Sequence, residues 1–179
     1  MGTIDLYKPE KLIAGILLSD LDRLPLVRTR LIQEFGVIDL ETGLLPFHYT
    51  GYYDAEMGSP IFRTFFTFET LVDPTELARI KCLSNEIEDI FCEEGNRRVN
   101  IDPGLLSLER VVLASTKDNG RRIPLRDGIY AEITLIFLFG DYEPLQWTYP
   151  DYKSREYRDI MREIRKIYRG QLKHLKQKC

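Results

Sequence analysis

Three stretches carry side chains whose types and spacing could do chemistry. Arg98, Asn100 and Asp102 alternate along Arg97-Arg98-Val99-Asn100-Ile101-Asp102-Pro103-Gly104, so an extended chain points them one way and Val99 and Ile101 the other. Tyr130, Glu132 and Thr134 alternate in the same manner within Ile129–Phe139, and Glu132 is a lone carboxylate inside an apolar run. Such a group must find a cation or a donor, or hold its proton. Arg98, Lys117, Arg121 and Arg122 are the cations at hand. Trp147-Thr148-Tyr149-Pro150-Asp151-Tyr152 sets three aromatic rings around one acid. If Asn100, Asp102 and Glu132 converge, they offer oxygen ligands alone, with Asp102 and Glu132 as the candidate metal ligands. That set suits Mg²⁺ or Mn²⁺ and not zinc. Asp54, Glu56 or Asp151 could join them. The same carboxylates could instead serve as general acid and base, with Arg98 or Lys117 holding an anionic substrate.

Each of these has a plainer reading. Asp-Pro-Gly is a turn signature, which gives Asp102 the job of closing a turn. Glu132 could be half of a structural ion pair, and the aromatic run around Tyr149 and Asp151 a packed corner that anchors the last helix. Phosphate loops, dinucleotide fingerprints and nucleophile elbows are missing, so no P-loop nucleotide site is expected. His48-Tyr49-Thr50 is half of a two-histidine phosphodiesterase motif, and residues 174–176 do not supply the other half. His48 therefore reads as a strand-face residue. Cys82, Cys92 and Cys179 form no metal or redox spacing, and they point to a reducing, cytoplasmic setting.

The elements that must position these residues follow from periodicity. Lys11 to Leu18 reads as a buried strand. Ser19 or Asp20 caps a helix that sets Leu24, Val27, Leu31 and Phe35 on one stripe, ended by Gly36. Strands are expected over Leu45–Tyr53 and Ile61–Glu69. Asp73-Pro74-Thr75-Glu76 opens a second helix, with Asp as N-cap and Pro at N1, stopped by Gly95. Arg98–Asp102 follows as a short strand. The order is β-α-β-β-α-β, that of a ferredoxin-like unit. Further strands are expected over Glu109–Thr116 and Arg121–Leu125, joined by an Asn119-Gly120 hairpin turn, and over Ile129–Phe139, whose length suits the sheet centre. The fold class is α+β: a mainly antiparallel sheet in one domain, 1–179, with a C-terminal helix over about Ser154 to Leu175.

Net charge is −3, but residues 154–178 alone carry +6. In that helix Arg155, Arg158, Arg162, Arg165, Arg169, Lys173 and Lys176 recur at spacings of three and four, which is one stripe. Tyr157, Ile160, Ile164, Ile167 and Leu175 form an apolar stripe expected on the opposite face. Docking by the apolar face would leave a cationic ladder for a phosphate-rich or acidic partner: RNA, a nucleotide or an acidic protein. The leading expectation is thus a non-catalytic binding protein. A carboxylate-site enzyme and a scaffold subunit with an exposed apolar patch are the alternatives. No run approaches the ~20 apolar residues of a membrane span, and no signal peptide is visible.

Asn100-Ile-Asp-Pro-Gly104, Val112-Leu-Ala-Ser-Thr-Lys117, Gly128-Ile-Tyr-Ala-Glu132 and Thr148-Tyr-Pro-Asp-Tyr152 together resemble domain-of-unknown-function family 4416, bacterial and archaeal proteins of about this length. The resemblance spans nearly the whole chain and implies one compact domain. It implies no activity. A loose GTP-binding label attached to some members has no phosphate loop here to support it.

Overall fold

The computed structural model describes residues 2–178; Met1, Cys179 and the side chains of Lys176 and Lys178 lie outside that description. In chain order the strands are β1 (Lys11–Leu18), β2 (Ile38–Glu41), β3 (Leu45–Phe47), β4 (Ile61–Phe68), β5 (Val99–Leu106), β6 (Arg110–Ser115), β7 (Ile123–Pro124), β8 (Tyr130–Leu138) and β9 (Asp141–Pro144). The helices are α1 (Leu24–Phe35), the one-turn α2 (Asp54–Met57), α3 (Leu77–Ile90), the one-turn α4 (Pro150–Lys153) and α5 (Arg155–Lys178). All nine strands enter one antiparallel sheet in the order β2-β4-β1-β5-β6-β8-β7, with β3 also on β4 and β9 also on β8.

The first half is the expected ferredoxin-like unit, with β5, β1, β4 and β3 as its four adjacent strands. Strand alternation decides what each face meets. Leu12, Ala14, Ile16 and Leu18 of β1 pack on one side with Val27 and Leu31 of α1 and with Leu77, Ile80 and Ile87 of α3. Ile13 faces the other side, where Tyr157, Met161, Ile164 and Tyr168 of α5 cover the sheet together with Phe65 and Leu135. The sheet is buried on both faces, which is why β1 reads as a continuous apolar run. The first two helix starts match their sequence signals: Asp20 accepts from the Asp22 N–H (3.1 Å) and Asp73 from the Thr75 N–H (2.8 Å). Ser19 instead donates to the Met57 carbonyl.

Several expectations fail for identifiable reasons. Asp102-Pro103-Gly104 is no turn. It runs inside β5, where Asp102 faces Gly15 and Pro103 faces Ala14 of β1. Proline is tolerated there because β5 meets β6 only from Gly104 onward, so no ladder partner awaits the missing N–H. The Asn119 turn does form (Arg122 N–H to Asn119 carbonyl, 2.8 Å), but β7 pairs with β8 and not with β6. The long β8 lies near one edge; β1 and β5 are central. The strand expected over Leu45–Tyr53 stops at Phe47, opposite Ile61 where β4 begins, and the rest of that run turns into α2. β2 and β9, four residues each, were too short to read from periodicity.

Candidate functional site

The sheet opens where β5 and β6 part. Only Gly104, Leu105 and Leu106 pair with Leu113, Val112 and Val111; the earlier half of β5 has β1 on one side and no strand on the other. Its backbone is satisfied from α3 instead. The Ile101 N–H donates to Glu88 Oε1 (2.7 Å), and the buried Lys81 ammonium donates to the Ile101 carbonyl (2.8 Å). Lys81 and Glu88 lie 3.5 Å apart and so settle each other's charge.

A cleft of about 520 Å³ occupies this opening. Of the residues expected to form a site, Asn100, Asp102, Lys117, Glu132, Tyr149 and Asp151 line it together. Arg98 and Tyr130 do not. Arg98 precedes β5 and bonds Glu93 (3.2 Å) and the Glu56 carbonyl (3.4 Å). Tyr130 sits at the start of β8, between Ser115 of β6 and Pro124 of β7.

The floor is organised by Arg63 of β4, a residue the sequence reading passed over. Its side chain is 3% exposed and spans β1 to reach β5, donating to Asp102 Oδ2 (2.9 Å) and to Asp151 Oδ2 (3.3 Å). Gly15 makes the crossing possible: a Cβ there would stand 2.7 Å from Arg63 Nη1. Burial opposes the guanidinium charge, but Asp102 and Asp151 outweigh it and raise the Arg63 pKa. The two carboxylates diverge. Burial works against ionised Asp102, yet the charges of Arg63 and Lys81 prevail and hold its pKa below the usual value. At Asp151 burial prevails over Arg63 and the pKa rises.

A second arginine organises the β8 side. Arg122 donates to Glu132 (3.1 Å), to Ser115 Oγ (2.8 Å), to the Lys117 carbonyl (2.7 Å) and to the Tyr149 hydroxyl (2.5 Å). Glu132 therefore has the buried partner its apolar strand demanded. Arg97 takes Glu56 with two bonds (2.8 and 2.9 Å) and donates to Asn100 Oδ1 (2.9 Å). At the mouth, the Lys117 ammonium meets the Tyr52 hydroxyl (3.0 Å) and stands 4.4 Å from its ring centre. That contact lowers the Tyr52 pKa, whereas burial raises those of Tyr53 and Tyr149.

Five cations (Arg63, Lys81, Arg97, Lys117, Arg122) thus line the cleft against three acids (Asp102, Glu132, Asp151). Two nitrogens of its lining residues, Arg63 Nε and Asn100 Nδ2, are buried out of reach of the cleft, where the two side chains turn to Tyr157 and Asp102. Metal ligation by Asp102 and Glu132 fits this arrangement poorly, because each carboxylate is committed to a different arginine. Among the described residues no three His, Cys, Asp or Glu come together as a ligand set. The signal for Arg63 was present: a lone charge in Phe62-Arg63-Thr64-Phe65-Phe66 invites the question asked of Glu132. Arg97, Lys81 and the tyrosines gave no such signal.

The basic stripe of α5 is not the free ladder expected. The buried seam is Tyr157, Met161, Ile164 and Tyr168, so each of Arg158, Arg162, Arg165 and Arg169 follows a seam residue by one position, about 100° round the helix. The stripe flanks the docked face instead of opposing it. Arg155, Arg158 and Arg162 each lie 3.5 Å from Asp141 of β9. Arg165 donates to the Leu108 carbonyl (2.8 Å) and stacks 3.6 Å from the Phe137 ring centre. Arg169 and Lys173 are exposed, as is Leu175 of the expected apolar stripe. The corner at Trp147 packs as its plainer reading holds, through Trp147 Nε1 to the Ile133 carbonyl (2.9 Å) and Tyr152 in the core. Ser154 caps α5, accepting from the Tyr157 N–H (3.2 Å). A second concavity, about 800 Å³ and mostly apolar, lies between Tyr7–Glu10, Ser107–Arg110 and the end of α5.

No helix is long and apolar enough to cross a membrane among the described residues. No curated protein and no solved structure matches the chain. A family described as "Domain of unknown function (DUF4416)" matches residues 8–168.

Proposed function

The chain belongs to the DUF4416 family, and from the geometry of its cleft we propose that it is a cytoplasmic bacterial or archaeal protein that binds a small anionic molecule between β5 and β6. One observation carries this reading: Lys117, alone of the five cations that line the concavity, is paired with no carboxylate, while Arg63, Lys81, Arg97 and Arg122 are held by Asp102 and Asp151, Glu88, Glu56 and Glu132. A cation without a carboxylate in a concave site favours a ligand with an anionic oxygen. The volume falls within the few hundred Å³ usual for metabolite sites. Nucleotide-sized anions remain within this class. Engagement of RNA or an acidic protein by α5 loses support, because Arg155, Arg158 and Arg162 lie against Asp141 and Arg165 against the Leu108 carbonyl, leaving Arg169 and Lys173 as exposed stripe residues without such a contact.

The test is a thermal-shift titration with phosphate, citrate and phosphorylated sugars at low and high salt. Binding to the folded state raises the melting temperature progressively with ligand concentration. The expected result is a salt-sensitive rise that Lys117→Ala diminishes. A melting temperature indifferent to every anion would end this reading. Catalysis is the second reading. It is favoured by Asp102 and Asp151, whose environments displace their pKa values in opposite directions across one arginine. That is an arrangement suited to a base and an acid.

A further inference from the structure

The cations of the cleft are not equally available. Arg63 is committed to Asp102 and Asp151, Arg97 to Glu56, and Arg122 to Glu132. Lys117 alone among them holds no carboxylate; its ammonium rests on the phenol of Tyr52, half out of the cleft. A neutral hydroxyl is a weak partner for an ammonium, and an anionic oxygen displaces it readily. Behind Lys117 the wall is aromatic. Tyr52 and Tyr149 are large exposed rings at 59% and 41%, with Tyr53 deeper. The Tyr52 and Tyr149 hydroxyls are each held by a cation from residues 117–122, which fixes the two rings at the opening. At the floor Asn100 is 3% exposed. Its Oδ1 is taken by Arg97 and its amide turns to Asp102, so Asn100 closes the floor of the cleft.

From the mouth inward the lining is one cation without a carboxylate and then aromatic surface. We infer that the ligand is a planar aromatic molecule bearing a single anionic group, the anion on Lys117 in place of Tyr52 and the ring along the tyrosine wall. This rests on the cleft being an anion site and adds the ring. An aliphatic anion would satisfy Lys117 but leave exposed phenol faces with nothing flat to stack on. A ring on a tyrosine face gains stacking energy irrespective of its substituents. Two sources share this chemistry, a free aromatic acid and a mononucleotide.

Calorimetric titration of the full-length protein with matched pairs separates the cases. Phenyl phosphate is compared with inorganic phosphate, benzoate with acetate, and AMP and UMP with ribose 5-phosphate. The aromatic member of each binding pair should bind about tenfold tighter or more. Preference for the mononucleotides identifies that source, and preference for phenyl phosphate or benzoate identifies the free acid. Lys117→Met should cut the affinity of the best probe about tenfold and flatten its salt dependence. Tyr52→Leu should erase the aromatic preference while leaving inorganic phosphate unaffected or tighter, since it frees Lys117. Both positions are at the exposed mouth, and circular dichroism checks that each variant folds. Equal affinity for aromatic and aliphatic members would overturn the inference while leaving the anion site standing. Silence from every probe would overturn both.

Discussion

Arg63 and Glu132 show how one charge inside an apolar strand organises what surrounds it. Arg63 reaches two strands away only because residue 15 has no side chain. Gly15→Ala should push the guanidinium off Asp102, which costs a buried charge its best partner, about 3 kcal/mol or more. Chemical denaturation would register it, and an unchanged midpoint would show that Arg63 has other room. Glu132 is held by Arg122, whose remaining bonds tie together Ser115, Lys117 and Tyr149. Glu132→Gln should therefore destabilise the fold by about 1–3 kcal/mol and also loosen the Lys117 end of the cleft. A melting temperature equal to wild type, or raised, would mean that Glu132 is stored for a ligand and not for the fold.

At the scale of elements, α5 is fastened by an apolar seam with arginines along one flank. Ile164 lies fully buried in that seam, so Ile164→Ala should cost about 2–5 kcal/mol. Lys173→Ala, on the exposed side, should stay within about 0.5 kcal/mol. Urea melts of the two proteins check the contrast; equal effects would mean that the helix is not docked as described. The helices and the long strands were legible because their apolar spacing is strong and their caps are local: Asp20, Asp73 and the Leu24–Phe35 stripe needed nothing from elsewhere. What could not be read was pairing. Asp-Pro-Gly has the chemistry of a turn, and only the absence of a strand beside the first half of β5 lets it run straight. The α5 stripes were correctly periodic but placed on the wrong faces. The seam runs through Met161, which is not one of the expected apolar positions, and one residue of helix phase turns an opposed stripe into a flanking one. Six of eight expected site residues do meet in the cleft: alternation fixed the side for Asn100, Asp102 and Glu132, while Lys117, Tyr149 and Asp151 arrive there on turns and the short α4. Arg63 and Lys81 were missed because their roles depend on neighbours 39 and 20 residues away along the chain.

For the whole molecule, the buried carboxylates make stability depend on pH in opposing directions. Burial raises the pKa of Asp151, Glu88 and Glu10 in the folded protein. The stability tied to each is full below its unfolded pKa, near 4, and is lost as pH rises through the raised folded value. Asp102, whose folded pKa is lowered, contributes above its unfolded value and loses that contribution as pH falls through the folded one. Melting temperatures across pH 3–8 should separate the two on either arm of the profile. Asp151→Asn should gain on wild type as pH rises. Asp102→Asn should fall furthest behind near neutrality and recover relative to wild type in acid. The same trend in both variants would contradict the divergence at Arg63.

The parting of β5 from β6 has a mechanical consequence. Strands β1 to β5 form one leaf and β6 to β9 the other; within the sheet the leaves are stitched by the three residue pairs from Gly104–Leu113 to Leu106–Val111, with the hairpin turn beyond them, and α5 packs across both. Gly104 lies at the open end of that stitch, its absent Cβ leaving space that Leu113 and the Val112 carbonyl fill at 2.6 Å. Tyr52, Arg63 and Asn100 ride on the first leaf, and Lys117, Arg122 and Glu132 on the second. A few degrees of rotation about the stitch would be magnified towards the mouth, where Lys117 and Tyr52 face each other across the gap. The width of the mouth is therefore set by the angle between two plates, with the Lys117–Tyr52 contact bridging them at its outer edge.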